Sequence, residues 1–248
     1  MAVAANPSAA EALGTEAAPP NPGKRSRTGA EAARYGVLRR LGPALKHDMV
    51  VNLQAIAMMA EVMNAKLDRG SPDPADFHSS IAKLNRLARE AVASCLKVAA
   101  WIEPGEDEGV KLGDGIAECV GLLASNFNFR GFEVHTDCGD SNLQVSRIVL
   151  RNLLIASLIT LTDAAGGPCR VDVKGEVDGA VGQVTVRISP REDDYEGLPY
   201  EPTYRHLDWA DVQALASAEG VDLVRGDGEI RLRLPRHRAT APLQIAPH

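Results

Sequence analysis

The stretch Val37-Leu38-Arg39-Arg40-Leu41-Gly42-Pro43-Ala44-Leu45-Lys46-His47-Asp48-Met49-Val50-Val51-Asn52-Leu53 decides how this chain is read. Apolar residues recur at Leu38, Leu41, Leu45, Met49 and Leu53, then at Ile56, Ala60, Met63 and Leu67. Steps of three and four place them on one face of an α-helix, so one long helix is predicted from about Glu31. His47 is two residues from both Leu45 and Met49, about 200° around the helix from each. It should project from the flank of the stripe, within reach of a partner. Pro43 lies four residues before His47 and removes one backbone hydrogen bond, which predicts a kink or a fresh helix start there.

On the N-terminal side, residues 1–30 are rich in Ala, Pro and Glu, show no sustained apolar period, and are expected to form a disordered tail. On the C-terminal side, Gly70-Ser71-Pro72-Asp73-Pro74 breaks the helix. A second stripe follows at Phe77, Ile81, Leu84, Ala88, Ala91, Cys95, Val98 and Ile102. Its alternating steps of four and three are those of a coiled-coil seam. Residues 31–104 therefore read as an antiparallel hairpin of two helices of about 30 residues each. A hairpin alone leaves half of its stripe wet. Pairing with a second copy, as a four-helix bundle in a homodimer, would cover it.

Beyond the acidic linker Glu103 to Glu108 the pattern changes. Residues 112–129 are helical in period, Phe132 to Thr136 alternate as a strand, and Val145 to Leu161 form a nearly all-apolar and hence buried helix. Strands follow at Arg170 to Val177 and Val181 to Ile188, then a helix from Leu207 to Glu219 with Gly220 as its C-cap. Val221 to Val224 and Glu229 to Leu234 make a hairpin around Arg225-Gly226-Asp227-Gly228. The expected fold is α+β: a helical hairpin followed over 110–237 by helices on one face of a mixed sheet, with a C-terminal tail at 238–248.

The chain has 248 residues and a formal charge of -6, so it carries no electrostatic footprint for nucleic acid. The longest apolar run, Leu153 to Leu161, falls short of the roughly 20 residues a membrane span needs. No membrane association is expected, and a soluble cytoplasmic location is the reading. Cys95, Cys119, Cys138 and Cys169 are widely spaced without a C-x-x-C, and are expected to be buried, reduced thiols rather than a zinc site or disulfides.

A helical hairpin with an exposed His-Asp on its first helix, followed by this α+β order, resembles the dimerisation and ATP-binding modules of bacterial sensor histidine kinases over about residues 34–236. His47, Asp48 and Leu53 match the family's phosphoacceptor pattern. Val51 and Asn52 replace its usual Thr or Asn and its Pro, which removes the side chain that in the family orients an attacking water. In the stretch Asn152-Leu153-Leu154-Ile155-Ala156-Ser157, Ala156 stands where the family has its magnesium-holding Asn. Ser189-Pro190-Arg191-Glu192-Asp193-Asp194 replaces the adenine-reading D-x-G-x-G turn. Thr203-Tyr204-Arg205-His206-Leu207 replaces the glycine-rich phosphate loop.

With these elements missing, the chain looks like a histidine phosphotransferase of the ChpT type, a degenerate kinase that relays phosphate between response-regulator receiver domains without binding ATP. The resemblance implies His47 as the phosphoacceptor, Asp48 as the carboxylate that orients the ring, and Lys46 as a nearby cation. Asn52, Ile56 and Met59 would border the receiver-docking surface. No cofactor and no metal site are expected in this chain, magnesium arriving with the receiver. His78, His135, His206, His237 and His248 have no such context and are read as structural or solvated. A second class stays open: a pseudokinase adaptor or inhibitor that binds a receiver or a kinase without carrying phosphate. An active kinase with a reworked nucleotide site is a third.

Overall fold

The computed structural model describes residues 22–70, 73–103, 105–191 and 205–238. The first described element is a single long helix, α1 (Pro22–Asp68), which contains Pro43 in its interior. The expected tail boundary at residue 30 is therefore too late. The small residues Gly29, Ala30, Ala33 and Gly36 belong to α1, and Ala30 and Ala33 are fully buried. With 47 residues, α1 is also well over the expected 30. Residues 1–21 and 239–248 lie outside the described residues.

Helix α2 (Pro74–Ile102) starts where Asp73 accepts a hydrogen bond from the Ala75 backbone N–H at 3.1 Å, with Pro74 in the first turn, where a missing N–H costs least. It runs back beside the distal part of α1, in the opposite direction. Asn52 meets Ser94 and, nearer the connection, Lys66 meets Asp76.

The remainder is α+β. Strand β1 (Gly109–Lys111) leads into α3 (Leu112–Phe129), followed by β2 (Glu133–Cys138), β3 (Gln144–Ser146) and α4 (Arg147–Ala164). Then come β4 (Cys169–Asp178), β5 (Val181–Pro190), α5 (Trp209–Glu219), β6 (Asp222–Gly226) and β7 (Glu229–Pro235). The expected order of longer elements is present. The pair β1 and β3 is additional, each strand only three residues long and too short to leave a period in the sequence.

Five strands form one sheet in the order β2-β4-β5-β7-β6, parallel between β2 and β4 and antiparallel elsewhere. Alternation divides its faces. Val171, Val173, Val184, Val186, Ile230, Leu232 and Leu234 point into the core, whereas Asp172, Lys174, Thr185, Arg187 and Arg231 line the opposite face. Helix α4 is buried nearly all round, as its mostly apolar composition requires. Two helix ends are set by side-chain and backbone chemistry the sequence displays. Ser146 caps α4 through the Val149 N–H, and Gly220 closes α5 in the left-handed region at φ 64°.

The buried core divides the chain differently from the expected split at 104. Ala30, Ala33, Val37, Leu41 and Leu45 of α1 belong to the same core as α3, α4, α5 and the sheet. The proximal part of α1 is thus part of the α/β layer, and only its distal part runs with α2. Gly36 makes this approach possible: a Cβ there would stand 2.8 Å from the Leu207 side chain.

Of the four cysteines only Cys119 is buried. Cys95 is exposed and Cys138 and Cys169 are half-buried, which corrects the expectation of buried thiols. All four are free. Among the described residues, none covers the face of α2 that carries Cys95.

Candidate functional site

Leu45 is the last residue of α1 buried against the α/β layer. The next three residues, Lys46, His47 and Asp48, are all exposed. Among the described residues none of the three side chains is recorded in a hydrogen bond or an ion pair. The imidazole is therefore open to an incoming reactant. His47 and Asp48 stand at one wall of a cleft of about 300 Å³ between α1 and α3. Arg39, Arg40 and Pro43 continue that wall, and Asn126 and Phe129 of α3 form the opposite one. Phe129 is exposed, so the cleft has an apolar lip facing outwards.

The other expected residues lie further along α1. Asn52, Ile56 and Met59 are half-buried. The Asn52 amide donates to Ser94 Oγ at 2.9 Å, so this side chain is turned towards α2 rather than towards the cleft. The neighbouring Val51 is exposed.

Upstream, α1 is held by charge as well as by apolar packing. The Arg40 guanidinium donates to Asp163 Oδ1 at 2.7 Å, and Arg130, at the end of α3, donates to the same oxygen at 3.1 Å and to the Thr162 carbonyl at 2.9 Å. These side chains are 5, 9 and 2 % exposed for Arg40, Arg130 and Asp163 respectively. His206, which sequence reasoning set aside, brings Nδ1 to 3.7 Å from the other carboxylate oxygen. Arg34 also pairs with Glu219 of α5, at a wetter site.

Of the positions that would serve a nucleotide in the resembled family, the described ones in α4 and before α5 are packed into the fold. Ala156 and Asn152 are both buried within α4. Before α5, Leu207 is buried against Gly36, and Arg205 makes a bidentate pair with Asp211 at 2.8 Å on both oxygens. Burial would raise the Asp211 carboxyl, but Arg205 and the Asp208 backbone outweigh it and hold it below the usual carboxylate range. Residues 192–204, which include Glu192, Asp193, Asp194, Thr203 and Tyr204, lie outside the described residues.

No family model matches the sequence, and no curated protein matches it. Solved structures do. The catalytic domain of histidine kinase ThkA is similar at 15% identity and a TM-score of 0.42, over 53% of this chain and 97% of that one. ThkA in complex with the response regulator protein TrrA is similar at 15% identity and TM-score 0.41, over 86% and 66% of the two chains. A bacterial phosphotransferase is similar at 19% identity and TM-score 0.36, over 80% and 94%. At these values the likeness carries no argument about function, which rests on the residues themselves.

Two further features bear on what the site can do. Among the described residues no helix is long and apolar enough to cross a membrane, and no group of three or more His, Cys, Asp and Glu side chains is placed to hold a metal ion. Sequence reasoning missed the Arg40–Asp163–Arg130 cluster and the α1–α3 cleft. A signal for the first was present in the small residues Gly29, Ala30, Ala33 and Gly36, whose steps of one, three and three announce a close helix contact just ahead of the apolar stripe. The ion pairs themselves join residues more than 30 positions apart and left no trace in spacing.

Proposed function

We propose that the protein is a phosphorelay histidine phosphotransferase. It accepts a phosphoryl group from the aspartyl phosphate of one response-regulator receiver domain and passes it to the aspartate of another through His47. The observation that carries this reading is the exposed His47 imidazole, beside Asp48 on the rim of the α1–α3 cleft and without an internal partner among the described residues.

In the transfer, a neutral ring nitrogen attacks the phosphorus in line. The N–P bond forms as the acyl O–P bond breaks, and the receiver's aspartate leaves as a carboxylate. Asp48 orients the ring, Lys46 offsets charge developing on the phosphoryl oxygens, and magnesium comes with the receiver's own aspartates. The reverse sequence at a second receiver discharges the phosphohistidine. No ATP is needed. The buried Ala156 favours this over a kinase, because it leaves no metal-holding side chain at that position.

A homodimer belongs to the same reading. Val50, Leu53 and Leu67 on α1 fall within about 100° of one another around the helix, and Ile81, Val92 and Leu96 on α2 within about 60°. All six are exposed in the single chain. A second copy placed on this face would complete a four-helix bundle and cover them.

The test is to incubate the protein with phosphorylated receiver domains and measure acid-labile, base-stable label. Label that is absent in His47→Ala and that passes to a second receiver is the expected result. Receiver binding that persists without any label would replace the phosphotransferase by a pseudokinase adaptor.

A further inference from the structure

Resting on the reading of His47 as phosphoacceptor, we propose that Arg40 and Asp163 are positioning residues. Through this pair the α/β layer acts as a brace that fixes where α1 presents His47. Arg40 precedes His47 by seven residues, close to two turns, and lies about 20° from it around the helix and about 10 Å along its axis. Both line the α1–α3 cleft. Just beyond Leu45, α1 leaves the α/β layer, and its later residues have α2 as their neighbour. Arg40 is thus a polar anchor close to the point where the helix departs, and the direction of departure sets how far His47 stands from Asn126 and Phe129 across the cleft.

The anchor differs in kind from the other tie between α1 and the layer. Arg34 and Glu219 are 40 and 19 % exposed, as in a surface pair that water competes for. Arg40 and Asp163 are 5 and 2 % exposed. A charge so buried needs its partner in one geometry, because any excursion leaves it desolvated and unpaired. Arg130 narrows the choice further by binding the same Asp163 oxygen while its other nitrogen holds the Thr162 carbonyl. The ends of α3 and α4 and the middle of α1 are drawn to one point. A receiver approaching His47 therefore meets an imidazole held at a set place relative to α3, as in-line transfer requires.

The arrangement also supplies a variant that should fold. In Arg40→Met the Asp163 carboxylate still has Arg130, whereas Asp163→Leu would strand two guanidinium groups. In single-turnover transfer from a phosphorylated receiver to the protein, Arg40→Met should lower the maximal rate about tenfold, in line with the cost of a displaced reacting group. The receiver concentration at half-maximal rate should stay close to that of the wild type. Arg40→Lys, which keeps the charge, should recover most of the rate, and Arg34→Ala should match the wild type. Hydrogen exchange over residues 38–48 should quicken in Arg40→Met. If that variant does not fold, Arg40→Gln is measured in its place.

An Arg40→Met protein that is folded and transfers at the wild-type rate, or an equal loss in Arg34→Ala, would overturn the positioning role while leaving the phosphotransferase standing. A wild-type chain that takes no label from any receiver would overturn the phosphotransferase itself and the positioning role with it. Hydrogen exchange then still shows whether Arg40 braces the helix.

Discussion

The two parts of α1 carry the same kind of apolar period and meet different fates. Up to Leu45 the stripe is covered by the α/β layer: Ala30, Ala33, Val37, Leu41 and Leu45 are all buried. From Met49 onwards only Met63 is, while Leu53 is 51 % exposed and Leu67 50 %. The facing helix shows the same deficit, with Leu96 at 65 %. Periodicity announces that a helix face wants covering, but it is silent about what covers it. In the proximal part the cover comes from the same chain. In the distal part α2 covers only part of the face, and Leu53 and Leu67 stay exposed. His47 sits at the boundary between these two regimes, which keeps it anchored on one side and open on the other.

The largest effect should come from damaging the covered part. Leu41→Ala removes a side chain at 1 % exposure and should cost about 3 kcal/mol in urea unfolding, the middle of the range for a core leucine. Leu53→Ala, with the same chemistry on the open part, should cost under about 0.5 kcal/mol when measured at concentrations where the chain is monomeric. Equal losses at the two positions would erase the distinction.

Next in size is association. Leu53→Asp combined with Leu96→Asp puts charge on the open face and should convert a dimer to a monomer in sedimentation equilibrium. The α/β layer, which these residues do not touch, should keep its near-ultraviolet circular dichroism. A double variant that stays dimeric would show that the second copy sits elsewhere.

A smaller change is expected at the tie between the two helices of the distal part. Asn52→Ala removes the hydrogen bond to Ser94 and should lower stability by about 1 kcal/mol. Receiver-dependent labelling of His47 should be reduced less than by Arg40→Met, because Asn52 is turned towards α2. A larger loss of labelling than of stability would instead return Asn52 to the docking surface.

Acid should produce the mildest effect, and it should act on the α/β layer. Hydrogen bonds from Arg187 hold the Glu229 carboxyl below its ordinary value, and Asp211 is held low as well. Groups with lowered folded values stabilise the fold above the ordinary carboxylate range, and that contribution is lost as pH falls below that range through the lowered values. The pairs on the distal helices, Lys66–Asp76 and Arg86–Glu90, are exposed and worth little. Glu229→Gln should flatten the acid limb of the stability profile. An unchanged limb would mean that other carboxylates govern it.

Much of this architecture could be read directly from residue order. The period of three and four between Leu38 and Leu67, the break at Gly70, the nearly all-apolar stretch from Val145 to Leu161 and the alternation in β4, β5 and β7 are local patterns, and local backbone geometry follows from them. Caps at Asp73 and Gly220 follow from side-chain and backbone chemistry within a few residues. His47 was legible as an exposed histidine because its offset from the stripe is a matter of helical angle alone. Tertiary structure decided the rest. That the proximal stripe of α1 packs on α3, α4 and α5, that Arg40 and Arg130 converge on Asp163, and that His47 overlooks a cleft walled by Asn126 and Phe129 all depend on contacts between distant segments. Burial and ion pairing are properties of the assembled surface, and no spacing within a single element encodes them.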